Sequence, residues 1–359
     1  MEPRGLAIVA SCCWCFHARV ARGDDATAPA DTLAPHLSGF VDGTYNYNFN
    51  QPAGGETPYY PYVARHHSFL LDAAHLAVTG NDDRLAYAVE LDAGSDAQVN
   101  SGGNLVDVQE AWLTYRDHAG FGLKAGKFVT TEGIEVIEAV FDPTISRGFL
   151  FWLAEPGSMV GALATYQIDD QLDVALGVVN GWDVLVDNNA AKTIVGKFGI
   201  TTDTFLLTLS TLAGPERAGN NDDWRVNFDV TGMYRLGTTD VWFQGHAATE
   251  QGAAPDGDSA TWFGIGLQPV VHVTSEFAVG TRVELFDDHD GARTGIPQLL
   301  VNLSAAPAYS PSEHLTLRAE LRADVSAGRD AGVDGPYVNH DGAAKALQVV
   351  GLTEAVMTF

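Results

Sequence analysis

The chain alternates apolar and polar residues with a period of two over most of its length. In Val41 to Phe49, residues Val41, Gly43, Tyr45, Tyr47 and Phe49 share one face, and Asp42, Thr44, Asn46 and Asn48 share the other. Successive strand side chains point to opposite faces, so each such segment predicts a strand with one apolar and one wet surface. The same pattern holds in 85–93, 224–235 and 315–325, where helical spacing would scatter the charges around a cylinder. Weaker versions occupy 66–79, 105–116, 120–130, 159–168, 172–182, 192–201, 204–213, 240–250, 259–272, 276–287, 296–309 and 345–359. Together these make sixteen strands, with fourteen or eighteen as the alternatives.

The predicted connections alternate in length. Short ones fall near 80–83, 117–119, 169–171, 202–203, 236–239, 273–275 and 310–313, and long ones at 50–65, 96–104, 131–158, 183–191, 214–223, 251–258, 288–295 and 327–344. An up-and-down barrel in an outer membrane has this signature, with short periplasmic turns and long external loops. An even strand count lets the sheet close, which satisfies every backbone edge group in lipid. The fold class expected is therefore all-β, a transmembrane antiparallel barrel. A soluble all-β sandwich would also alternate, but it gives no reason for alternating loop lengths. Aromatic girdles are expected at strand ends, with Tyr45, Tyr47, Trp182, Trp224 and Trp262 on the outer side and Tyr115, Tyr166 and Tyr234 on the inner side.

The 20 Lys and Arg against 46 Asp and Glu give a net charge of −26, which excludes a nucleic-acid footprint. No run approaches the roughly 18 apolar residues of a spanning helix. The start reads as an export leader over 1–23, with Arg4, an apolar run from Leu6 to Phe16, and small residues Ala21 and Gly23 before Asp24. Val9-Ala10-Ser11-Cys12 offers the rival reading of a lipoprotein site at Cys12. All the cysteines, Cys12, Cys13 and Cys15, fall in this leader. Residues 24–36 read as a flexible periplasmic lead-in and 37–359 as the barrel.

A barrel of about sixteen strands is wide enough for an aqueous lumen, so its inward residues are expected to be polar. Candidate pore-lining charges are Arg225, Arg282, Glu284, Arg318, Glu320, Arg322 and Asp324, with Asp229 and Arg235 beside them. In a low-dielectric tube such charges steer ions; they would equally neutralise one another as a cross-strand ladder. The longest connection carries Glu132, Glu135, Glu138 and Asp142 ahead of Phe149-Leu150-Phe151-Trp152-Leu153. A long loop with that apolar content needs a surface to pack on. The expectation is an eyelet in which Glu132, Glu135 and Glu138 face arginines such as Arg282, Arg318 and Arg322. The alternative is an external hairpin whose aromatic run enters a subunit interface.

Several ordered segments resemble the OmpL-like β-barrel porin family of Gram-negative outer membranes. They are Gly39-Phe40-Val41-Asp42 with Tyr45-Asn46-Tyr47-Asn48-Phe49, Ala125-Gly126-Lys127-Phe128 with Gly133-Ile134-Glu135, and Ser146-Arg147-Gly148 with Ala154-Glu155-Pro156 and Gly161. Asn180-Gly181-Trp182-Asp183, Asp187-Asn188-Asn189, Lys192, Arg282-Val283-Glu284 with Asp287 and Asp288, and the run from Leu317 to Asp324 continue the series. The resemblance implies a porin-like channel and supplies no catalytic residues. The last strand departs from the strongest outer-membrane signal, because Ala355 and Met357 precede Phe359 where larger apolar or aromatic residues are usual.

No G-x-S-x-G elbow, P-loop, strand-to-helix G-x-G-x-x-G or H-E-x-x-H occurs. Asp287, Asp288, His289 and Asp290 lack the spacing of a calcium loop. The function expected is a non-enzymatic outer-membrane porin without a cofactor, passing small hydrophilic solutes or ions. Outer-membrane lipid and lipopolysaccharide are its surroundings, and the pattern is compatible with a homo-oligomer. The alternatives are a solute-specific channel, or a closed barrel serving adhesion or envelope structure.

Overall fold

A computed structural model describes residues 32–328 and 335–359. The export leader and its cysteines lie outside the described residues. Sixteen strands form one closed antiparallel barrel. They are β1 (Thr32–Asn48), β2 (Ser68–Asn81), β3 (Leu85–Ala93), β4 (Val106–Arg116), β5 (Phe121–Val129), β6 (Ser158–Gln167), β7 (Leu172–Val179) and β8 (Thr193–Thr201). The second half is β9 (Phe205–Pro215), β10 (Trp224–Leu236), β11 (Thr239–Glu250), β12 (Ala260–His272), β13 (Phe277–Asp288), β14 (Gln298–Ser312) and β15 (Leu315–Gly328), closed by β18 (Leu347–Thr358). Between β15 and β18, β16 (Tyr337–Val338) and β17 (Ala344–Lys345) make a small separate hairpin.

Every barrel strand pairs with its chain neighbour, and β1 closes on β18 from Phe40↔Thr358 to Asn48↔Val350. The terminal Phe359 takes part, since its N–H donates to Gly39 O (3.0 Å) and its carbonyl accepts from Gly39 N (3.1 Å). β1 begins at Thr32, inside the segment read as a flexible lead-in, because His36 and the residues after it pair with β2.

The short connections recur on the side of the barrel where β1 begins and β18 ends. Several are built on an Asp that accepts two backbone N–H groups, which fixes a tight turn. Asp82 Oδ1 accepts from Arg84 N (2.8 Å) and Leu85 N (2.6 Å), and those bonds hold its carboxyl below the usual range. Asp117 and Asp169 repeat the arrangement.

The period of two puts large apolar side chains outside. Leu76, Val89, Leu113, Leu123, Leu176, Phe228, Ile265, Leu303 and Leu321 are all exposed, as a lipid-facing belt requires. Tyr115, Tyr166, Tyr234 and Trp224 also face outward. Tyr45 and Tyr47 form an outward cluster with Phe69, Phe49 and His66. Trp182 and Trp262 depart from the girdle expectation: they are 9% and 0% exposed and pack edge-to-face inside the barrel, 6.4 Å apart.

The inward face is not uniformly polar. Ala86, Ala88, Trp112, Phe128, Met159, Leu163, Val179, Val195 and Leu212 form a buried apolar wall over β3–β9. Many buried charges lie over β10–β15, β18, β1 and β2, and Glu90 and Asp92 of β3 and Glu110 of β4 continue them beside the apolar wall.

Candidate functional site

The segment joining β5 to β6, residues 130–157 (here L3), lies inside the barrel. Its apolar run explains the direction it takes. Phe149, Leu150, Leu153 and Ala154 pack with Trp182, Ala248, Trp262, Phe286, Leu300 and Tyr337 in one buried cluster. Fully burying each large side chain contributes about 1.5–3 kcal/mol, and here the chain's own wall supplies the burial without a subunit interface. The wall makes room with glycines: a Cβ at Gly266 would lie 2.9 Å from a Leu150 methyl, and one at Gly264 or Gly280 would collide with Leu150 or with the Pro143 carbonyl. Of the aromatic run, only Trp152 stays exposed.

Charged groups of β13 and β15 fix the middle of L3. Arg282 Nη1 donates to Glu135 Oε1 (2.5 Å), Thr144 Oγ1 (2.7 Å) and Ser146 O (2.6 Å), while its Nε donates to Asn302 (2.9 Å). Glu320 accepts the backbone N–H groups of Ile145 and Ser146, both at 2.8 Å, and the Ser146 hydroxyl at 2.7 Å. Glu284 accepts Phe149 N (2.8 Å). Arg322 donates to the Arg147 carbonyl (2.5 Å) and to Asp324 (2.8 Å). Arg318 donates to the carbonyls of Ala139 and Asp142, each at 2.7 Å, and forms a bidentate pair with Glu354. Within the loop, Arg147 pairs with Asp142 (3.2 Å) and donates to the Val136 and Ile137 carbonyls.

The expected pairing of loop glutamates with arginines is therefore realised once, at Glu135 and Arg282, and in direct contact. Glu132 instead accepts from Asn227 on β10 (2.8 Å), and Glu138 accepts from Gln109 on β4 (2.5 Å). Arg318 and Arg322 meet backbone carbonyls of L3 because the loop's acidic side chains have turned to other walls. Arg282, Glu284, Arg322 and Asp324 are at most 1% exposed, each enclosed between the wall and the loop. Arg225 stands apart: it pairs with Glu250 (2.8 Å) and stacks over Trp182, 4.6 Å from the ring centre. Asp288 caps its own external turn by accepting from Arg293 N and Thr294 N.

Other external segments close over L3. Tyr60 lies under the Arg322 guanidinium (4.3 Å), and Tyr62 under that of Arg147 (4.7 Å). Tyr62 also donates to Asn100 (2.6 Å), in the short helix α1 (Ser95–Asn100). Sequence reading missed Tyr60, Tyr62, Arg147, Glu155 and Glu354 as parts of this assembly. The aromatics of 59–62 were a usable signal, since a loop segment that apolar also needs a surface.

Glu132 and Glu155, near the two ends of L3, approach Asp229 on β10. Burial first, then the Asp229 charge, pushes both loop carboxyls well above the ordinary range.

Comparison with solved structures shows the same fold in a porin and in other proteins. The anion-selective porin from Comamonas acidovorans matches with a TM-score of 0.65 and 14% identity, over 92% of this chain and 100% of that one. The trimer form of in-vitro folded OmpT from Vibrio cholerae gives 0.59 and 12%, over 92% and 100%. OprB of Pseudomonas putida gives 0.59 and 9%, over 90% and 94%. No curated protein matches the chain in sequence. The family model "Putative beta-barrel porin-2, OmpL-like" matches residues 35–359, and the chain belongs to that family.

Proposed function

We propose that this protein is an outer-membrane channel through which small hydrophilic solutes and ions diffuse passively, with L3 setting the narrowest cross-section. The observation that carries this reading is the path of the loop. Glu132 reaches Asn227 on β10, Glu135 reaches Arg282 on β13, and Glu138 reaches Gln109 on β4, so L3 is attached to separated parts of the wall. A segment held in that way divides the lumen and fixes what remains of it. Arg282, Glu284, Arg318, Glu320 and Arg322, with Asp324 behind Arg322, then act on the passing solute chiefly through the position they impose on L3, whereas Arg225, paired with Glu250, stands apart from it.

A solute-specific channel is the second reading. It is favoured by the apolar inward wall over β3–β9, where Lys124 sits 4.0 Å over the Trp112 ring. An apolar stripe with a cation beside it discriminates among solutes more than a uniformly wet wall does. By analogy with the Vibrio trimer, a homo-oligomer in lipid and lipopolysaccharide is the expected assembly.

Planar-bilayer conductance of the wild type and of the Glu132→Gln, Glu135→Gln, Glu138→Gln triple variant tests the proposal. We expect discrete channel steps whose size and cation preference change in the variant. Steps identical in both proteins would refute the role of L3. No steps at all would leave the closed structural barrel. Saturation of the current by one candidate solute would select the specific channel.

A further inference from the structure

Arginines and carboxylates of β13 and β15 account for the contacts of L3 with those strands, but no arginine serves its contacts with β10 and β11. There Glu155 of L3, Asp229 of β10 and His246 of β11 converge, with one ligand atom from each within 4.8 Å of the other two. All are buried, at 2%, 1% and 4% exposure. Gln244 Nε2 donates to Glu155 Oε2 (2.5 Å) and Asp229 Oδ2 (2.8 Å), and Thr231 Oγ1 donates to Asp229 Oδ1 (2.7 Å). His246 Nδ1 stands 3.4 Å from Asp229 Oδ2.

That leaves capacity over. Glu155 Oε1 and His246 Nε2 have no hydrogen-bond partner, and neither does Oε1 of the neighbouring Glu132. Among the described residues, no Lys or Arg forms an ion pair with Glu132, Glu155 or Asp229. Buried carboxylates without a cationic partner cost several kcal/mol each unless protonated or bound to a cation. Strands β13 and β15, where Arg282, Arg318 and Arg322 take up the acidic groups, show the usual solution; here an inorganic cation would serve.

We propose that Glu155, Asp229 and His246 form a binding site for a divalent transition-metal ion of the Zn²⁺ class, which clamps the returning limb of L3 to the barrel wall. The imidazole selects against Ca²⁺ and Mg²⁺, which prefer all-oxygen sites. Zn²⁺ accepts one His nitrogen with two carboxylates and keeps a fourth position for water. Bonds of about 2.0–2.1 Å in a tetrahedron place ligand atoms roughly 3.4 Å apart, so the side chains close in by at most about 1.4 Å. The Gln244 amide orients both carboxylates, as outer groups do around metal ligands. His75 of β2, Glu90 of β3 and Glu138 of L3 form a separate His–carboxylate group, in which His75 Nδ1 already pairs with Asp92 Oδ1 (2.8 Å), and it serves as an internal control. The inference does not depend on the channel reading, since a clamp on L3 would exist in an open or a closed barrel.

The test uses the full chain in detergent micelles, stripped with EDTA and titrated with ZnCl₂. The wild type should retain one Zn²⁺ per chain, and Glu155→Gln and His246→Gln should each weaken binding at least tenfold. His75→Gln should leave that ion in place. X-ray absorption of Zn²⁺ in the wild type, which needs no variant to fold, should show one imidazole nitrogen with oxygen ligands. The inference is overturned by no retention above a detergent blank, by retention in the two variants equal to that of the wild type, or by loss in His75→Gln. An all-oxygen shell, or preference for Ca²⁺ over Zn²⁺, overturns it as well.

Discussion

Glu320 lies on β15, yet its carboxylate holds three groups of L3: Ile145 N, Ser146 N and the Ser146 hydroxyl, at 2.7–2.8 Å. Glu320→Ala removes all of them without altering a loop residue, and it also takes a negative charge from beside Arg282, 3.7 Å away. Hydrogen bonds to a charged group contribute about 1.5–3 kcal/mol each, and breaking a buried charged contact costs about 3–5 kcal/mol. We take about 3–5 kcal/mol as the loss of docking free energy, because Arg282 keeps Glu135 and Glu284. At 1.4 kcal/mol per factor of ten, the undocked population of L3 rises about 140- to 4,000-fold. Trypsin reads that population. Arg147 is 2% exposed, so cleavage after it requires the loop to leave the wall, and cleavage tracks the open fraction when closing is fast. Arg217, on an exposed external loop, supplies the reference rate in the same sample. The expected result is a rise of at least a hundredfold in cleavage at Arg147, with cleavage at Arg217 unchanged and the barrel intact by its heat-dependent gel mobility. An unchanged ratio of the two rates would show that Glu320 does not anchor the loop.

Three further substitutions report on other contacts. Phe149→Ala empties a fully buried position of the L3 cluster; it should weaken docking by about 3–5 kcal/mol and raise the same tryptic ratio, together with open-channel current noise. Gly126→Ala introduces a side chain where φ is +136° and where a Cβ would collide with the Ala111 carbonyl. It should break the β4–β5 register and lower the heat-modifiable fraction several-fold. Deleting Phe359 removes both hydrogen bonds to Gly39 at the closing seam and should reduce the assembled fraction in outer-membrane preparations; an undiminished yield would show that neither the seam nor insertion needs it.

The strands were legible because their signal is local. A period of two needs only neighbouring residues, and alternating short and long connections mark where the hairpins reverse, so the order of strands and a count near sixteen follow from the sequence. The inward turn of L3 was one of two readings the sequence left open, since the apolar run from Phe149 to Leu153 needs a surface that either the barrel wall or a subunit interface would supply. Its partners were not legible. Glu132, Glu135 and Glu138 recur every three residues, which looks like one acidic face. The loop is not regular over that stretch, and the three side chains leave for β10, β13 and β4. Trp262 shows a signal that was present and not used. It alternates with Gly264, Gly266 and Gln268, while Phe263, Ile265 and Leu267 take the lipid side, so its parity already placed it inward.

The two sides of L3 present different physical problems. Toward β13 and β15 the loop offers carbonyls and one carboxylate to three arginines, whose guanidinium groups satisfy several acceptors at once. That side would hold in plain buffer, and high salt would affect it little, because buried pairs are poorly screened. Toward β10 the loop brings Glu132 and Glu155 up to Asp229, a contact between like charges. Protonation or a cation must relieve it before the loop can seat. The cost of docking therefore concentrates at one edge, and L3 should come away from β10 before it leaves β13. Hydrogen exchange can order these events: the amide of Gly133, near Asp229, should exchange faster than those of Ile145 and Ser146, which Glu320 holds. Added Zn²⁺ should slow Gly133 and leave Ile145 and Ser146 nearly unchanged. Equal exchange at all three amides, with no response to Zn²⁺, would mean that L3 moves as one rigid body and that its two edges are not energetically distinct.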